Sequence, residues 1–76
     1  MSGKSISLAS LRSGATALVV GLDVGRKALS RLESLGILPG CEVSVLTNNQ
    51  TGPLLVSVGE GKIMVERGIA SKVMVV

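Results

Sequence analysis

Along most of this chain apolar residues recur at every second position, and one ten-residue stretch breaks that rhythm. The alternation marks half-buried strands, whose successive side chains point to opposite faces. It predicts a first strand over Ala15–Gly21. A second, over Cys41–Asn48, sets Cys41, Val43, Val45 and Thr47 on one face against Glu42, Ser44, Leu46 and Asn48. Leu54–Val58 and Lys62–Val65 read as a hairpin around Gly59–Glu60–Gly61. Lys72–Val76 reads as the last strand, with Val73 and Val75 inward. Ser7–Leu11 reads as a short helical turn and Glu66–Ala70 as a turn of 3₁₀ character.

The interruption is Arg26–Leu35, where Ala28, Leu29, Leu32 and Leu35 share one helical face. Its stop signal is strong. Gly36 stands where a left-handed C′ residue is favoured, Ile37 can fold back onto the helix, and Pro39 prevents continuation. Pro39–Gly40 then turns the chain into the next strand. Five strands, one helix and tight turns in 76 residues predict a mainly β protein, a small five-stranded barrel with the helix inserted between its first and second strands. Residues 1–76 make one domain, with residues 1–6 expected to be a flexible N-terminal segment. Closure of the barrel is expected to leave few exposed edges.

Composition sharpens this picture by what it removes. There is no His, Phe, Tyr or Trp, and Cys41 is the sole cysteine. Imidazole-based catalysis is therefore excluded, as are aromatic platforms for stacking bases. A zinc site built from Cys and His within one chain is excluded too. No phosphate-binding loop of Walker type occurs, and no acid–base pair is poised, so the chain is not expected to be an enzyme. Apolar residues make up 46% of the chain, so it folds around an aliphatic core. No apolar run reaches the length of a signal peptide or membrane span, and a lone Cys41 suits a reducing compartment; a soluble, cytoplasmic protein is expected. The net charge of +3 is mild, and only Arg26, Lys27 and Arg31 cluster. Specific nucleic-acid binding is not expected from so sparse a patch.

The opening Leu8–Gly14 turn, the run Leu32-Glu-Ser-Leu-Gly-Ile-Leu-Pro-Gly-Cys-Glu-Val43 and the Val-rich strands that follow resemble the ferrous iron transport protein A (FeoA) family over nearly the whole chain. The resemblance implies an SH3-like barrel. It also implies a cytoplasmic accessory role in bacterial ferrous iron uptake, through interaction with a ferrous iron permease that carries a GTPase domain; contact with the membrane would come only through that partner. It implies as an alternative a transition-metal-binding or metal-responsive regulatory domain, like the barrel at the C-terminus of iron-dependent repressors. Within the signature, Leu32, Leu35, Gly36, Pro39 and Gly40 each have a packing or backbone role, so the motif marks the fold and not a site.

Candidate chemistry is correspondingly thin. The favoured partner-binding surface is the exposed helix face and the loop before it: Leu22, Val24, Arg26, Lys27 and Arg31, apolar residues mixed with Arg as interfaces prefer. Recognition of Pro-rich peptides is disfavoured for want of aromatics, whereas strand addition at an open edge near the Gly59–Gly61 hairpin is possible. The possible metal ligands Asp23, Glu33, Cys41, Glu42, Glu60 and Glu66 are scattered, so no metal, cofactor or catalytic residue is assigned. Cys41 is expected to be a buried structural thiol. Self-association is plausible through Leu22, Leu38, Leu46, Met74 or the last strand.

Overall fold

The computed structural model describes residues 5–76. Its elements run β1 (Ile6–Ser7), a 3₁₀ turn (Leu8–Ser10), β2 (Thr16–Leu22), α1 (Arg26–Ser34), β3 (Glu42–Thr47), β4 (Leu54–Val58), β5 (Gly61–Val65), α2 (Arg67–Ala70) and β6 (Val73–Val75). The strands form one antiparallel sheet in the order β1-β6-β2-β3-β4-β5. Among the described residues no helix is long and apolar enough to cross a membrane.

β2 is the pivot of the sheet. Its first half, Thr16–Leu18, pairs with Ser44–Glu42 of β3, and its second half, Val19–Leu22, pairs with β6. The register shifts between Val19 and Gly21, and again in β3 between Val45 and Thr47. Bulges of this kind bend strands and increase twist, which is how one ribbon wraps around a small core.

That core follows from the period-two pattern. Ala17, Val19, Val43, Val45, Leu54, Val56, Val65, Val73 and Val75 point inward from the strands. Leu8 closes the cluster from the 3₁₀ turn, Leu32 and Ile37 from α1 and its exit, and Ala70 from α2. Burying each Leu, Ile or Val contributes on the order of 1.5–3 kcal/mol, so a purely aliphatic interior suffices for a domain of this size.

The helix stop forms as its residues dictate. The Ile37 amide donates to the Leu32 carbonyl at 2.9 Å and the Gly36 amide to Glu33 at 3.0 Å, the paired bonds of a Schellman motif. Gly36 has φ +90°, a conformation that disfavours any residue with a Cβ. Ile37 is then fully buried. In the Pro39–Gly40 turn, Cys41 donates to Leu38 at 3.0 Å, and Gly40 donates to the Val19 carbonyl at 2.7 Å, docking the turn onto β2.

The structure departs from the sequence reading in several places. The described residues form six strands, not five: Ile6 and Ser7 pair with Val75 and Met74 of β6. Ile6, expected in a flexible N-terminal segment, is thus part of the sheet; residues 1–4 of that expectation lie outside the described residues. β1 and β5 remain the two outer strands of the sheet, so closure has not removed its edges. Residues 67–70 form an α-helical turn and not a 3₁₀ one. Leu35 is the C-cap of α1 and 38% exposed, so it sits at the rim and not in the core. Cys41 precedes β3 and is only half-buried; it packs against the core, and its Sγ accepts from the Leu38 amide at 3.4 Å.

One polar side chain, Asn48, is buried among the described residues. Its amide nitrogen donates to the carbonyls of Ala9 (2.9 Å) and Leu11 (2.6 Å). Its Oδ1 accepts from the Gln50 amide (3.1 Å) and from Nη2 of Arg67 (2.7 Å). Arg67 also donates from Nε to the Gly52 carbonyl at 3.0 Å. Asn48 therefore ties the 3₁₀ turn, the loop after β3 and α2 together, with every side-chain bond satisfied.

Candidate functional site

The predicted surface divides in two. Arg26, Lys27 and Arg31 are exposed on α1. Arg26 and Lys27 open the helix, and Arg31 lies one turn on, which holds three cationic heads on one short rod. Leu22 and Val24 are half-buried and pack against the core. Leu22 is drawn in because β2 continues through it opposite Val73. The apolar half of the predicted surface is therefore a fringe of the core, and the solvent-facing half is basic.

The apolar exposure that does accompany this basic face comes from residues the sequence reading did not assign to it. Arg31, Leu32 and Leu35 form one wall of a narrow groove. Met64, Val65, Glu66 and Ile69, from β5 and its continuation into α2, form the other. Met64 is 62% exposed and Leu35 38%. The alternation of β5 offered one signal, since it puts Met64 outward between inward Ile63 and Val65; that α1 lies beside it depends on a long-range packing that no local pattern carries. Of the residues offered for self-association, Leu38 and Leu46 are exposed, and Leu22 and Met74 are half-buried, each thus keeping part of its surface in solvent.

The signature residues have the structural parts foreseen for most of them. Leu32 is buried, Gly36 and Gly40 occupy left-handed conformations, and Pro39 leads the turn; Leu35, read as a helix anchor, is exposed. No group of three or more His, Cys, Asp or Glu side chains stands together among the described residues. Asp23, Glu33, Glu42, Glu60 and Glu66 are each exposed, and Cys41, half-buried, lines a shallow open cavity beside its neighbour Glu42.

Comparison with known proteins agrees with this geometry. A protein of Methanocaldococcus jannaschii described as an Fe(2+) transport protein A is 38% identical over 68 residues, covering 90% of this chain and 82% of that one. The crystal structure of an iron uptake regulatory protein, FeoA, superposes with a TM-score of 0.89 at 32% identity, over 95% of this chain and 96% of the other. The FeoA of Stenotrophomonas maltophilia, solved with zinc and described as a prokaryotic SH3 domain protein, superposes with a TM-score of 0.80 at 28% identity, over 93% and 89% of the two chains. The six-stranded sheet with its inserted helix is thus an SH3-like fold. The sequence profile of the FeoA domain matches residues 6–76, from the first residue of β1 to the last residue of the chain, and the protein belongs to the FeoA domain family.

Proposed function

We propose that this protein serves ferrous iron uptake in the cytoplasm by binding the GTPase-carrying ferrous iron permease, and that it does so without holding the iron itself. Support for the transport role comes from the family and from relatives described as iron transport proteins. Support for the mode comes from one observation: the exposed Arg26–Lys27–Arg31 face of α1, which runs into a groove with Met64 and Leu35 at its rim. Cationic side chains beside exposed apolar ones suit a protein partner with an acidic, partly apolar surface. The carboxylates, by contrast, are too dispersed to wrap an ion that wants several convergent oxygen or nitrogen ligands. The protein acts by contact and not by catalysis.

The test is calorimetric titration of the permease's soluble cytoplasmic region with the wild-type chain and with the double variant Arg26→Glu, Arg31→Glu. The double reversal is expected to weaken binding about tenfold or more. Its thermal midpoint should hold within a degree or two, since both side chains are exposed. Unchanged affinity would remove α1 from the interface.

A second reading, metal binding, is favoured by one fact: the S. maltophilia relative was solved with zinc. On this chain such binding would need exposed carboxylates from more than one copy. It is tested by titrating Fe(2+) and Zn(2+) into the isolated protein and following both heat and sedimentation.

A further inference from the structure

β5 ends the sheet, and its outer edge carries a pattern that matches itself. The β4–β5 hairpin closes through the two-residue turn Gly59–Glu60, with Val58 opposite Gly61 and Gly59 at φ +59°. In such a turn the flanking pair is hydrogen bonded, and bonded pairs then alternate along the ladder. The backbone groups of Gly61, Ile63 and Val65 therefore face β4. Those of Lys62 and Met64, and the Glu66 amide, face away from it, while the Glu66 carbonyl accepts from the Ala70 amide at 2.8 Å within α2. The same three residues form the outward stripe of side chains: Lys62, Met64 and Glu66 are exposed, while Val65 is buried.

We propose that this edge is a docking strand for a second copy of the chain, paired antiparallel across a two-fold axis at Met64. That register sets Met64 against the partner copy's Met64. Lys62 then meets Glu66 of the other copy twice, and Ile63 meets Val65 on the inner side. The Met64 amide and carbonyl, the Glu66 amide and the Lys62 carbonyl supply the hydrogen bonds. Charge selects the register: centring on Ile63 opposes Glu60 to Glu66, and centring on Lys62 opposes two lysines. Of the antiparallel registers that keep these outward groups paired within the strand, only the one centred on Met64 sets opposite charges together, and opposite-charge cross-strand pairs are favourable where like pairs are not. It covers Met64, at 62% the most exposed large apolar side chain among the described residues, and so competes with any other partner for the rim of the groove between α1 and β5. It also buries an edge that a β protein does not leave open without risk of uncontrolled pairing.

Sedimentation equilibrium over protein concentrations up to about 1 mM tests this, that being the weak end of specific association. The wild-type chain should dimerise. Lys62→Glu and Glu66→Lys should each weaken the dimer on the order of tenfold or more, because each turns both attractive pairs into repulsive ones. Mixing the two variants in equal amounts should restore a dimer of wild-type strength, since both pairs then set a glutamate of one variant against a lysine of the other. Amide exchange at Met64 and Glu66 should slow with concentration in the wild type. A wild-type chain that stays monomeric, a dimer indifferent to both reversals, or a mixture without rescue would each overturn the proposal. So would slowing of those amides only when the permease's soluble region is added, which would give the edge to a strand of another protein.

Discussion

Replacing Asn48 by Ala probes the polar centre of the fold. The substitution removes four side-chain hydrogen bonds: two donated to Ala9 and Leu11, and two accepted from Gln50 and Arg67. Each such bond contributes a net 0.5–1.5 kcal/mol or so, and a buried group left without a partner costs about 1–3 kcal/mol. Gln50 is exposed and Arg67 half-buried, so water can recover those two donors. The carbonyls of Ala9 and Leu11 are the main losers. The sum is about 3 kcal/mol, against a total stability on the order of 4–11 kcal/mol for a chain of this length. Urea unfolding should show the midpoint fall with the slope unchanged. The thermal midpoint should fall by about 12 °C or more. Asn48→Asp supplies the control: it keeps the acceptor for Gln50 and Arg67 but aims its second oxygen at two carbonyl oxygens. It must destabilise despite the added attraction to Arg67. A loss below about 1 kcal/mol for Ala, or none for Asp, would refute the account of Asn48 as the tie between the 3₁₀ turn and α2.

Other consequences follow from particular positions. Leu32→Ala should cost about 2–4 kcal/mol, whereas Leu35→Ala should cost under 1 kcal/mol, because Leu32 is 2% exposed and Leu35 38%; equal losses in urea unfolding would contradict the placement of Leu35 at the rim. Gly36→Ala should destabilise by about 1–2 kcal/mol through its left-handed backbone alone, since a Cβ there would meet Val58 Cγ1 at an unstrained 3.6 Å. Titration of Fe(2+) into the isolated monomer should reveal no stoichiometric site of micromolar strength, and isothermal calorimetry reads this directly. Arg67→Ala should cost about 1 kcal/mol, and a double-mutant cycle with Asn48→Ala should return a coupling of about 0.5–1.5 kcal/mol through their shared bond; strict additivity would mean that the 2.7 Å contact contributes nothing.

The parts of this fold that were legible in the sequence are those fixed by local chemistry. Leu32-x-x-Leu-Gly-Ile reads as a helix stop because Gly36 and Ile37 satisfy it within six residues, and the structure forms the two bonds of that stop. The valines of β3, β4 and β6 point inward because alternation leaves them no other arrangement. What escaped reading is non-local. β1 is two residues long and exists through pairing with β6, nearly seventy positions away in the chain. Asn48 looks like any polar residue entering a polar loop, and only the arrival of Ala9, Leu11 and Arg67 makes it a buried hub. The same limit applies to the surface. Helical periodicity picks out Arg26, Lys27 and Arg31, but Leu22, held by the β2–β6 pairing, and Val24 after it both pack against the core and do not stand beside them in solvent. Leu35 moved the other way, since the helix ends before its face can turn inward.

The claim that this protein works by touching the transporter and not the metal is tested most directly by one titration, with the permease's soluble cytoplasmic region added to the wild-type chain in the presence and absence of an iron chelator. The account predicts saturable binding with the same affinity in both conditions. Binding that vanishes with the chelator, or heat of iron uptake by the chain alone with none from the permease region, would contradict it.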